Sequence, residues 1–246
     1  MKRKYALILS LLITGLIASN VYIVSFIKNP AESVLVSRTI DGDTLVLENG
    51  ETVRLLNINT PEKNEDYYKE AADYLKQLEN KTAIVKRQGK DKYSRTLARV
   101  YLDDKYINLE IIEQGLAKKF LVEQSELKEF SDAEAQAIEN EKGMWTHSEN
   151  FNCLASEINQ EEEIITLINS CQQINFQDWI ITDESRKRYK FPSISFSVIN
   201  IHSGQGNDNS TSLFWNQKQS VWNNDFDTLY VFDKEGNIAH YHPYGY

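Results

Sequence analysis

Cysteine and histidine are scarce in this 246-residue chain, and net positive charge is absent. Each shortage closes off a class of answer. Two cysteines, Cys153 and Cys171, exclude a disulfide-stapled scaffold and leave room for a single bridge. Whether the two sulfurs meet is not fixed by their spacing. The four histidines, at 147, 202, 240 and 242, form no cysteine/histidine cluster with zinc-ligand spacing. His240 and His242 alternate along an expected strand and can share a face, but a metal site needs more ligands than that pair. A net charge of −9 excludes a protein that coats nucleic acid over its whole surface, so any such contact must come from a local basic patch. The hydrophobic share of 41% and the charged share of 26% describe globular rather than disordered chain, with length for one or two domains.

The first segment, residues 1–30, reads as a signal anchor. Lys2-Arg3-Lys4 precede an apolar run from Tyr5 to about Ile27. Its roughly 22 residues are near the length that spans a bilayer. The basic start keeps the N-terminus inside and sends the rest out. The run continues through Val21-Tyr22-Ile23-Val24, past the small residues at Ala18-Ser19. That favours an uncleaved transmembrane helix in the cell membrane, with secretion as the alternative if the segment is cut. Export would also permit a Cys153–Cys171 disulfide.

Residues 33–150 alternate short β patterns with a few helices. Ser33–Ile40, Thr44–Glu48, Glu51–Ile58, Thr82–Arg87 and Thr96–Leu102 read as strands, with Asn49-Gly50 as a hairpin turn. Asp66–Leu78, Asn108–Gln114 and Ser125–Asn140 read as helices. Five strands with helices suit a small closed barrel in an α+β domain. Within it, Asp41-Gly42-Asp43-Thr44, Arg54, Asn59-Thr60-Pro61-Glu62 and Asp91-Lys92-Tyr93-Ser94-Arg95 gather the chemistry. Gly42 lets the chain bend and brings Asp43 to a strand start. Carboxylates and carbonyls suit a hard divalent ion. The guanidinium forks of Arg54 and Arg95 match phosphate oxygens and can hold charge that grows on a phosphate under attack. A carboxylate not bound to metal can orient or deprotonate water. Taken singly, each motif reads equally well as a turn or a surface charge.

They occur in one order, however: DGDT, VRLLNINTPE, DKYSR, INLEIIEQGLAK and a polar helix ending KGMW. This order resembles the staphylococcal nuclease-like (thermonuclease) family. The resemblance implies an OB-fold barrel and a calcium-dependent phosphodiesterase, an endonuclease acting on DNA and RNA. It implies Asp43 as a direct calcium ligand and Thr60 as a ligand through its backbone carbonyl. Glu62 would activate or position the attacking water, and Arg54 and Arg95 would bind phosphate and stabilise the transition state. Lys92 and Tyr93 would sit against a neighbouring phosphate of the bound strand. The second carboxylate ligand of the best-known pattern is Asn59 here; its amide oxygen can coordinate calcium without adding charge. Weaker metal binding is therefore expected. An aromatic of that pattern falls near Leu121, which offers no ring for base stacking. Asp41 reads as a residue that holds the loop. Lys81, Lys86, Arg87, Lys90, Lys92, Arg95 and Arg99 are expected to form the basic track.

Residues 153–246 change in composition. Short strands are expected at Ile164–Ile168, Phe176–Ile181, Tyr189–Phe191, Ser195–Ile201, Ser212–Trp215 and Leu229–Phe232, separated by Asn, Ser, Asp and Gly. The pattern is that of an all-β sandwich, with no internal repeat and no catalytic constellation. The order EEIITLIN, FQDWIITDES, YKFP and SLFWNQKQSVWNNDFDTLYVFDKEGNIAHY resembles the lamin-tail domain family. That resemblance implies an immunoglobulin-like sandwich with a binding or anchoring role toward an unidentified ligand. Trp179, Trp215 and Trp222 are expected in its core. The reading of the whole is a multidomain, exported and membrane-anchored nuclease. The alternative is a nuclease-fold module, weak or inactive in catalysis, that binds nucleic acid or a surface partner.

Overall fold

The computed structural model describes residues 31–171 and 174–246, together with Thr14. The anchor expected over residues 1–30 lies, Thr14 apart, outside the described residues. Among the described residues no helix is long and apolar enough to cross a membrane.

The first half contains strands β1 (Glu32–Thr39), β2 (Thr44–Leu47), β3 (Thr52–Leu55) and β4 (Ile58–Asn59), then helix α1 (Tyr68–Lys76). It continues with β5 (Thr82–Lys90), β6 (Thr96–Leu102), β7 (Lys105–Tyr106), α2 (Ile107–Glu113), β8 (Lys118–Lys119) and α3 (Leu127–Glu139). The sheet runs β3-β2-β1-β5-β6-β7, and a parallel pairing of β3 with β6 closes β1, β2, β3, β5 and β6 into a five-stranded barrel. The expected strand over 51–58 is divided because Asn57 takes a left-handed conformation (φ 67°), which asparagine tolerates better than most residues. β4 then leaves the barrel and pairs with β8. Helix α1 starts later than its apolar pattern suggests, since Tyr67 is also left-handed (φ 63°). Ala71 and Leu75 bury its inner face, and Leu78, just past its end, is buried as well.

The second half holds β9 (Leu154–Asn159), β10 (Ile164–Asn169), β11 (Ile180–Thr182), β12 (Arg188–Lys190), β13 (Val198–His202), β14 (Ser212–Phe214), β15 (Asp227–Phe232) and β16 (Ile238–Tyr244). Two four-stranded sheets, β14-β13-β10-β9 and β12-β11-β15-β16, enclose one core. Trp179, Trp215 and Trp222 are buried in it. β11 is shorter than expected because a left-handed Asp178 (φ 67°) separates Phe176 from the strand. β9 has no counterpart in the sequence reading: LASEIN is half polar, and its ladder with β10 makes it a strand. Cys153 and Cys171 are joined in a disulfide.

The halves are docked on each other. Ala137 and Ile138 of α3 and the buried Trp145 pack with Tyr230 of β15 and Ile238 of β16. Trp145 stacks on Tyr230 and Phe232 at 5.5 and 6.2 Å between ring centres. The backbone N–H of Ile238 donates to the Thr146 carbonyl at 2.9 Å, and that of Ser148 donates to the Ile238 carbonyl at 2.8 Å. Beside this apolar contact lies a buried polar one. Lys119 is ion-paired with Glu134 of α3 and Glu184 of the sandwich, and donates to Thr228 Oγ1 at 2.7 Å. Tyr230 donates to Glu134 at 2.8 Å. Burial raises the Glu184 carboxyl to about 7; Lys119 opposes this, and Glu134 and Asp227 add to it.

Candidate active site

Asp43 is the residue before β2, and Arg54 lies on β3 directly across from Thr44. That register sets the Arg54 Nε 2.9 Å from Asp43 Oδ1. The other carboxylate oxygen of Asp43 accepts from the backbone N–H and the hydroxyl of Thr60, at 3.1 and 3.0 Å. The turn between β1 and β2 comes close to α1 and Thr60. A Cβ on Gly42 would lie 2.7 Å from Ala71 Cβ and 2.9 Å from Thr60 Oγ1. Glycine is required there by close approach; Gly42 is not among the residues with positive φ. The bend expected of it is therefore a packing effect. Asp41 Oδ1 accepts from the Asp43 backbone N–H at 3.1 Å, which braces the same turn. Burial, and next the Asp43 charge, push the Asp41 carboxyl up.

Arg54 is buried and points its fork at the chain around β4. It donates to the Leu55 and Ile58 carbonyls and, at 3.2 Å, to Asn59 Oδ1. Burial pulls its guanidinium below the usual value, and the Asp43 carboxylate opposes that pull. Arg95 enters from the turn before β6. Its Nε pairs with Asp91 Oδ2 at 2.7 Å, and its Nη1 lies 3.4 Å from Thr44 Oγ1. Lys92 and Arg95 both approach the face of Tyr93, at 5.0 and 5.5 Å. Tyr93 is 68% exposed.

A cavity of about 860 Å³ is lined by Asp43, Arg54, Asn59, Glu62, Lys92, Tyr93 and Arg95. Thr60 faces a second cavity, of about 460 Å³, between barrel and sandwich. Leu121 also lines the larger cavity; it is 56% exposed and presents no aromatic face. Two members of the expected basic track are otherwise engaged. Arg87 pairs with Glu32 and Glu51, and Arg99 with Glu123 and Glu126. They fasten the barrel, so the track is narrower than the sequence suggests. His240 and His242 share a face as expected, with both rings bonded to Ser156 Oγ at 2.8 and 2.7 Å.

Among the described residues no three carboxylate, imidazole or thiolate side chains converge as a metal cage. The oxygens at hand are instead the Asp43 carboxylate, the Asn59 amide, the Thr60 carbonyl and the Glu62 carboxylate. All are hard donors suited to a divalent ion. A single guanidinium, that of Arg186 in the sandwich, reaches both the Thr60 carbonyl and Glu62 Oε1 at 2.7 Å. Those two oxygens therefore face one cationic centre, which fits a divalent ion at the Thr60 carbonyl with Glu62 beside it. Arg186 has no precursor in the sequence reading. It is 124 residues from Glu62, and its segment carries no motif that marks it.

The five-stranded barrel, with carboxylates and arginines lining one cavity, defines an OB-type scaffold. Residues 52–147 match the family described as staphylococcal nuclease homologue. A thermonuclease of Staphylococcus intermedius is 39% identical over 99 residues, 35% of this chain and 59% of that protein. An uncharacterized endonuclease of Haemophilus influenzae is 36% identical over 126 residues, 48% of this chain and 67% of that protein. A thermonuclease of Staphylococcus hyicus is 32% identical over 126 residues, 46% of this chain and 75% of that protein. The chain belongs to the staphylococcal nuclease family.

Proposed function

We propose that the chain is a calcium-dependent nuclease that hydrolyses phosphodiester bonds of DNA or RNA. One observation carries this reading: Asp43, Glu62, Arg54 and Arg95 line the same cavity. Asp43, the Thr60 carbonyl and the Asn59 amide would hold the ion. When bound, it would polarise a phosphate oxygen and favour a hydroxide nucleophile. Glu62 would orient and deprotonate the attacking water. Arg54 and Arg95 would meet the charge that develops on phosphorus-bound oxygens. Lys92 and the exposed Tyr93 would take the next phosphate and base along the strand.

The rest of the proposal concerns place and attachment. The basic-flanked apolar segment and the Cys153–Cys171 disulfide support export with membrane anchorage, since disulfides persist in oxidising compartments. The sandwich is proposed to be a lamin-tail-like module that holds a surface partner. A second reading, a nucleic-acid-binding module with little catalysis, draws on Asn59, which brings no charge to the ion.

The test is cleavage of single-stranded DNA and RNA by the full chain in detergent micelles, with calcium and with chelator. Glu62→Gln and Arg95→Ala are measured alongside. Each is expected to lower turnover by about 10²–10³-fold while the fold persists. Undiminished cleavage by either variant would remove that residue from the mechanism. Salt-sensitive binding without cleavage would establish the second reading.

A further inference from the structure

The β11–β12 hairpin of the sandwich enters the nuclease site. Its turn is built rigidly. Asp183, buried, accepts from the Lys187 backbone N–H at 2.7 Å and from the Ser185 hydroxyl. Glu184 N–H donates to Asp227 Oδ1 at 3.3 Å. Arg186 sits at φ 69°, a conformation that costs a non-glycine residue and persists only where its surroundings impose it. Three contacts hold the turn on the segment from 59 to 65. The Asn59 side-chain N–H donates to the Glu184 carbonyl at 3.3 Å. Arg188 pairs with Glu65 at 2.8 Å. Arg186 bridges the Thr60 carbonyl and Glu62. Arg186 and Ser185 both line the 860 Å³ cavity.

We propose that Arg186 is a residue of the nuclease site lent by the second domain, and that it sets how tightly the divalent ion binds. This rests on the metal site assigned above. Its guanidinium holds the Thr60 carbonyl and the Glu62 carboxylate toward a common point. A dication held at the Thr60 carbonyl meets a like charge at a few ångströms, so the guanidinium must yield that oxygen. The pair is partly exposed, with side chains 23% and 67% accessible, so the competition is modest and reversible. Arg186 therefore pre-orders the donors and weakens the ion's net hold. The site is tuned from the sandwich, not from the barrel alone.

Calcium titration of the full chain by calorimetry tests this without reference to turnover. Arg186→Ala is expected to bind calcium about fivefold more tightly, the equivalent of one partly exposed ion pair removed. Arg186→Lys, which keeps the charge but loses the fork, is expected to fall between it and the parent chain. Lys190→Ala, whose partner Asp178 lies within the sandwich, is expected to leave the affinity unchanged. Equal or weaker binding by Arg186→Ala overturns the proposal while leaving the metal site intact. If neither parent nor variant binds calcium, the site assignment fails and the proposal falls with it. Should Arg186→Ala not fold, Arg186→Gln removes the charge at similar length and is judged by the same outcomes.

Discussion

An aspartate at position 59 would bring a second anionic oxygen toward the one formed by Asp43, and it would lose a donor. Asn59 uses both ends of its amide: the oxygen accepts from Arg54 at 3.2 Å and the N–H donates to the Glu184 carbonyl at 3.3 Å. Only an amide can do both. A carboxylate there would set two acceptors against each other at the domain contact. Asn59→Asp is expected to raise calcium affinity through the added charge. It is also expected to lower stability by about 1–3 kcal/mol through the carbonyl left without its donor. Calorimetric titration and thermal melting read the two effects separately. Tighter calcium binding with no loss of stability would show that the bond to Glu184 contributes little.

At the scale of elements, the site depends on how closely the β1–β2 turn approaches α1. Gly42 is the contact. An added methyl would meet the Ala71 Cβ and the Thr60 side chain inside normal separation. Neither partner can swing away as a long side chain would. Gly42→Ala is expected to cost about 1–3 kcal/mol, the usual range for overpacking. Because Thr60 holds Asp43 through two hydrogen bonds, the displacement also reaches the Asp43 carboxylate. Turnover should fall with stability, which chemical denaturation and a cleavage assay on one sample would check. The same scale explains why Arg87 and Arg99 leave the basic track. Each meets two carboxylates on neighbouring segments, and at those distances an ion pair outweighs a role in distant steering.

The whole molecule is held at its waist by an apolar stack and a buried polar cluster. In that cluster one lysine, Lys119, is ion-paired with two glutamates, Glu134 and Glu184. The folded Glu184 carboxyl titrates at about 7, above its ordinary 4.5. The folded chain therefore binds more protons than the unfolded chain between those values. The Glu184 contribution to stability is complete below pH 4.5 and is lost as pH rises toward about 7. Against Glu184→Gln, the parent chain should lose stability with a slope of at most about 1.4 kcal/mol per pH unit across that window. Denaturant unfolding of both chains at pH 5, 6 and 7 gives the difference. A difference that does not change with pH would mean that the cluster is relaxed by water.

The sequence by itself determined the local parts. Strand and helix patterns came from periodicity and turn residues, and the barrel's strands were legible because one face of each is apolar. Asp43, Arg54, Glu62 and Arg95 stood out because their motifs occur in the order that resembles the nuclease family; singly, each read as a turn or a surface charge. What periodicity does not record is the left-handed residue that cuts a run, as at Asn57 and Asp178, or the partner strand that turns the half-polar LASEIN into β9. Only the tertiary structure decided which charges are free. Arg87 and Arg99 are spent on the barrel, while Arg186, unremarkable in sequence, reaches Glu62 across 124 positions. The physical reason is that a charge acts through distance in space, and the docking of two domains sets that distance.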